Sequence, residues 1–133
     1  MSYYFTTTLE TTFDEAIERL TDVLKDEGFG VLTEIDVKAT MKKKLDKDLY
    51  NYRILGACNP PMAWEAIQAE DKIGTMLPCN VIVQEREKGK IEVSAVDPVA
   101  SMSSITNEDL GEVAKEVQGR LKKVIEKLKT IKA

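Results

Sequence analysis

The last quarter of the chain carries the strongest constraint on the fold. Leu110, Val113, Ala114, Val117, Leu121, Val124, Ile125 and Leu128 recur at three- and four-residue intervals, so they share one side of a helix. Lys115, Glu116, Lys122, Lys123 and Lys127 take the opposite side. A helix with so long an apolar stripe needs a cover of matching length. Thr106 and Asp109 read as its capping box. The nearest apolar surface in the sequence is a hairpin. NVIVQER and KIEVSAV are two alternating strands joined at Lys88-Gly89. Their alternation puts Val81, Val83, Ile91, Val93 and Ala95 on one side. Leu110, Val117, Leu121 and Val124 are therefore expected to pack on Val81, Val83, Ile91 and Val93.

The other elements follow from the same two periodicities. YYFTTT at residues 3 to 8 is aromatic and β-branched, hence a strand. Thr12 opens a helix with Glu15 three residues on. Phe13, Ala16, Ile17, Leu20, Val23 and Leu24 form its apolar face, and Gly28 ends it, with Phe29 folding back. GVLTEIDV at residues 30 to 37 alternates as a strand. A short helix follows over 38–45, and its Lys42–Lys44 triplet, flanked by Asp46 and Asp48, reads as a solvated face. LYNYRILGAC at 49–58 is a third strand. Asn59-Pro60-Pro61 starts a helix to about Glu70 with the only Trp, Trp64. Residues 71–78 read as a connecting loop, and Asp97-Pro98 ends the hairpin.

The expected fold is α+β, one domain over residues 1–133, a length that leaves no room for two ordinary cores. It is a two-layer sandwich of about five mostly antiparallel strands, with two long helices on one face. One layer of helices leaves the other sheet face bare. Strand parity assigns to that face Leu32, Glu34, Asn51, Arg53, Leu55, Asn80, Ile82, Gln84, Glu92, Ser94 and Val96. This mixture is too apolar for plain solvent and too polar for a core, and it suits a partner or ligand.

Composition removes many functions. The chain has no histidine, which excludes a Ser-His-Asp triad, a Cys-His pair and histidine-ligated zinc or haem within it. A net charge of -4 argues against a general nucleic-acid surface. There is no run approaching the ~20 apolar residues of a membrane span. The start, MSYYFTTTLETTF, lacks a basic region followed by an apolar run, so a cytoplasmic location is expected.

Two Cys-Asn pairs stand against prolines, in GACNPP at 56–61 and LPCN at 77–80. Cys58 precedes a helix start, where a thiolate is stabilised by free N–H groups. Cys79, at the start of the next strand, could lie close enough to resolve a disulfide. Against that, no histidine or adjacent lysine activates either thiol, and Cys58 beside Ala57 fits a buried, inert position. Two thiols are also too few for a zinc site unless a dimer pools four. The prolines have a backbone account. Pro60 fits a first helical turn, and Pro78 holds Leu77 extended. Asn59 and Asn80 can hold neighbouring backbone groups, so the two pairs mark chain turns brought together at one sheet end. Asp97 is a further candidate carboxylate; Glu34, Arg53 and Glu92 could meet on the open face, and cross-strand charge pairing accounts for them equally well.

ILGACNPPMAWEAI, then IGTMLPCNVIVQE and VDP, resemble the uncharacterised family called domain of unknown function 302, over the whole chain. The resemblance implies a compact α+β fold of the TATA-box-binding-protein type, a curved antiparallel sheet with helices on one side. It brings no established activity, and a shared fold carries no function.

The functional expectation is a non-catalytic binding or assembly module that homodimerises through the open sheet face, with no cofactor and no metal. A thiol-based redox enzyme or sensor using Cys58 and Cys79, and a small-metabolite-binding module of unknown ligand, stay open beside it. The candidate binding residues are Cys58, Asn59, Cys79, Asn80, Asp97, Glu34 and Arg53.

Overall fold

A computed structural model describes residues 2–130. Five strands form one sheet: β1 (Tyr4–Glu10), β2 (Gly30–Asp36), β3 (Asn51–Cys58), β4 (Cys79–Glu87) and β5 (Lys90–Val96). The spatial order is β1-β5-β4-β3-β2, and every neighbouring pair is antiparallel. The helices are α1 (Phe13–Asp26), α2 (Val37–Leu45), α3 (Pro60–Ala69), α4 (Pro98–Ser101) and α5 (Glu108–Thr130), with a 3-10 helix over Asp71–Met76. Helix α1 carries the chain from one sheet edge to the other. Among the described residues, no helix is long and apolar enough to cross a membrane.

The local rules explain most ends. Thr12 caps α1, its hydroxyl accepting from Glu15 N at 3.2 Å. The Glu15 carboxylate accepts from Thr11 Oγ1 instead of returning to the cap, and it pairs with Arg19. Gly28 takes φ +86°, which lets Phe29 N donate back to Leu24 O at 2.9 Å and closes α1. Gly89, at φ +82°, turns the β4–β5 hairpin. The cap of α5 is Asn107, not Thr106. Its Oδ1 accepts from Leu110 N at 3.2 Å, while its Nδ2 donates to Ala69 O at 2.8 Å and ties α5 to the end of α3.

The main core lies between the sheet and helices α1 and α5. Val81, Val83, Ile91 and Val93 meet Val117, Leu121 and Val124, as the periodicity requires. Leu110 departs from that expectation. It joins a second cluster with Ala66, Ile73, Ala114 and Met102, under α3, α4 and the 3-10 helix. The segment over 71–78 is thus mostly helical, and Ile73 anchors it.

The open face is real, but its membership differs from the expected one. On β4 and β5 the parity holds, so Asn80, Ile82, Gln84, Glu92, Ser94 and Val96 face away from the helices. On β3 it is reversed. Leu55 pairs with Val81 and is fully buried in the core, and Arg53 pairs with Val83. Tyr52 and Ile54, opposite Gln84 and Ile82, take the open face instead. On β2 a bulge at Leu32 shifts the register, which turns Glu34 to the helix side and Thr33 and Ile35 to the open side. Tyr4, Thr6 and Thr8 of β1 complete the face.

Candidate functional site

The two Cys-Asn turns do meet at one sheet end. Ala57 pairs with Cys79 and Gly56 with Asn80 across β3 and β4. The join is tight at Gly56. A Cβ there would overlap Thr33 Oγ1, and it would stand 2.7 Å from Pro78 Cγ. Pro78 follows an extended Leu77 through a cis peptide bond.

Each proline-flanked asparagine has a different task. Asn59 is buried and caps α3, its Oδ1 accepting from Met62 N at 3.3 Å. Asn80 is exposed on the open face. Cys79 is buried, and that burial, with the nearby Cys58, pushes its thiol up to about 11. Cys58 is only half-buried, which corrects the expectation that it is sealed in.

Both thiols line an apolar cavity of about 290 Å³. Its floor is Ala57 and Cys79 at the sheet end. Its sides are Met62, Ala63, Ala66 and Ile67 of α3, Val113 and Val117 of α5, and Leu77 and Met102. Leu32 and Ile67 line it as well, yet remain 66% and 44% exposed, so they form its mouth. Of all the lining side chains only Asn59 offers an amide, and its oxygen is already used as the α3 cap. Small residues stand at 57, 63 and 66, and they were the available signal for a void there.

The remaining candidates lie elsewhere. Asp97 caps α4, accepting from Val99 N at 3.0 Å and Ala100 N at 3.3 Å, and also from Gln118 Nε2 at 3.0 Å. Its carboxylate is thus engaged in holding α4 against α5. Glu34 and Arg53 meet, but not on the open face and without Glu92. Arg53 bonds Glu34 at 3.1 Å and lies 5.5 Å from the Phe13 ring centroid, on the helix side of the β2–β3 edge. Glu92 pairs with Arg86 at 3.2 Å on the open side. Lys42 of the basic triplet bonds Asp46 at 2.9 Å, as a solvated face should.

A second surface accompanies the cavity. Tyr3, Tyr4, Tyr52, Asn80, Ile82, Gln84, Glu92, Ser94 and Val96 line a shallow groove across the open sheet face. No helix residue lines it. Thr6 and Ser94 share a hydrogen bond of 3.0 Å there, and Ser94 is 7% exposed.

The profile of the family described as "Domain of unknown function DUF302" matches residues 5–128. The chain belongs to the DUF302 family. A solved relative, the crystal structure of an uncharacterized conserved DUF302 protein from Bacillus stearothermophilus, is 28% identical. It superimposes with a TM-score of 0.88 over 96% of this chain and 99% of that one. No curated protein matches. The DUF302 assignment fixes the α+β fold, five antiparallel strands with their helices, and it supplies no activity. This DUF302 chain offers two surfaces for function, the apolar cavity and the open sheet face.

Proposed function

We propose that this DUF302 domain is a non-catalytic binding module that works as a homodimer, paired through the open sheet face. The observation that carries the reading is the placement of the long core-forming helices α1 and α5 on one side, with Tyr4, Tyr52, Ile54, Ile82 and Val96 left on the other. Five strands at ~4.8 Å spacing and about seven residues at ~3.3 Å rise give a face of roughly 24 by 23 Å. That footprint of about 550 Å² per copy falls at the low end of specific interfaces. The occupant is a second copy, because the polar groups of the face complement themselves. Asn80 and Gln84 each carry an amide that donates and accepts, so one surface can bond its own image about a twofold axis. On this face Arg86 is paired with Glu92 within the chain, and a net charge of -4 makes the chain a poor match for a nucleic-acid backbone.

A thiol enzyme fits less well. A catalytic thiol needs a depressed pKa, and burial moves Cys79 the other way, to about 11. No histidine exists to act as its base. Two reduced thiols are the ordinary state in the cytoplasm, where we place the protein.

Sedimentation of wild type and Ile82→Asp tests the reading. The wild type is expected to be a dimer at micromolar concentration. The variant should be a monomer with native-like circular dichroism, since the substitution buries a charge twice in a symmetric interface. A monomeric wild type removes the proposal.

A further inference from the structure

The cavity at the end of β3 and β4 is separate from the open sheet face. We propose that it is a binding site for a small, neutral, apolar molecule of about ten non-hydrogen atoms. The size follows from its volume of about 290 Å³ when each water- or methylene-sized group occupies ~30 Å³. The chemistry follows from what the walls lack. A buried water needs two to four polar partners, and the lining offers one amide, whose oxygen is already taken by the α3 cap, beside two weakly polar thiols. Water therefore fills this space poorly, whereas an apolar molecule gives up no hydrogen bonds by entering. Apolar cavities of about half this size stay dry and take up aromatic hydrocarbons.

A charged ligand has no counterpart inside. The wall residues Met62, Leu77, Met102 and Val117 offer contact area and no ionic partner. Methionine at two of these positions lets the wall adapt to the shape of its guest. The exposed side chains of Leu32 and Ile67 at the mouth give an apolar route in from solvent. Cys58, half-buried on the same wall, reports on occupancy because a bound guest shields its sulfur.

Naphthalene, with ten carbons, is the probe. Titration into the full chain, followed by backbone NMR, should give saturable shifts at Ala57, Cys79 and Ala66, and should slow alkylation of Cys58 by iodoacetamide. Benzenesulfonate, similar in size but charged, should bind at least tenfold more weakly. Ala66→Leu adds three groups of ~30 Å³ each, roughly a third of the void, leaves too little room for ten carbons and should weaken the naphthalene shifts at least tenfold. If that variant does not fold, Ala63→Leu provides the same reading from the half-buried position one turn away. The inference does not depend on dimer formation, so Ile82→Asp should bind naphthalene as the wild type does. Absence of saturable shifts, shifts confined to the open face at Ile82 and Gln84, or equal binding of the charged probe would each overturn it.

Discussion

Gly56→Ala is the most informative single substitution, because it strikes the junction that brings the two Cys-Asn turns together. The glycine is buried and sits opposite both Thr33 and Asn80. An added Cβ would stand 2.7 Å from Pro78 Cγ, where ordinary contacts begin at 3.4 Å, and it would overlap Thr33 Oγ1 as well. The Pro78 ring belongs to a rigid backbone and must retreat by roughly 0.7 Å, so the cost falls among overpacking substitutions at about 1–3 kcal/mol. Such a loss lowers Tm by roughly 3–5 °C for each kcal/mol in a domain of this size. Thr33 is exposed, and Thr33→Ala alone should be within about 0.5 kcal/mol of wild type. The double variant should recover part of the Gly56→Ala loss, since the hydroxyl is gone and Pro78 remains. Denaturant melts of the four proteins give the coupling directly. A Gly56→Ala cost under about 0.5 kcal/mol, or a strictly additive double variant, would refute the close-approach argument.

Two further outcomes follow from the core and from the thiols. Leu121 is fully buried between α5 and the sheet, so Leu121→Ala should cost about 2–5 kcal/mol in a denaturant melt, and a negligible loss would contradict the packing. Cys79 is held protonated up to about 11, whereas an unfolded thiol titrates near ~8.5. Between those values the unfolded chain has lost a proton that the native chain retains. Stability should therefore be intact below pH ~8.5 and fall as pH rises toward 11, by at most about 1.4 kcal/mol per unit. Melts of wild type and Cys79→Ala across that range should show the slope in the first and a flatter response in the second.

The order and type of the main elements were legible because each apolar pattern had one consistent solution. The stripe of α5 and the inward valines of β4 and β5 demanded each other. The failures came where that uniqueness was missing. In β3, both parities contain apolar residues, with Tyr52 and Ile54 on one and Leu55 and Ala57 on the other, so alternation alone could not choose the buried side. Arg53 lies on the helix side only because it is close enough to the edge for its guanidinium to reach Glu34, 3.1 Å away, and Asp36, 3.7 Å away. In β2 the bulge at Leu32 leaves no mark in the pattern, and everything after it changes face. The cap of α5 was misplaced by one residue because Thr106 and Asn107 are both good caps. The contact from Asn107 to Ala69, 38 positions away, decides between them. The cavity was the least legible feature. It is formed by side chains too small to fill the space between α3 and the sheet end, and a void has no residue of its own.

The central claim is that the open sheet face is covered by a second copy. It is tested most directly by solvent exposure of the isoleucine methyl groups, read by NMR with a soluble paramagnetic probe. Ile54 and Ile82 lie at the middle of that face, whereas the Leu45 methyls, on a residue that is 62% exposed, lie at the end of α2 and serve as the reference. The account predicts that the Ile54 and Ile82 methyls are protected in the wild type, and that Ile54 becomes attenuated in Ile82→Asp while Leu45 is attenuated in both. Ile54 attenuation that is the same in the wild type and in the variant would contradict it.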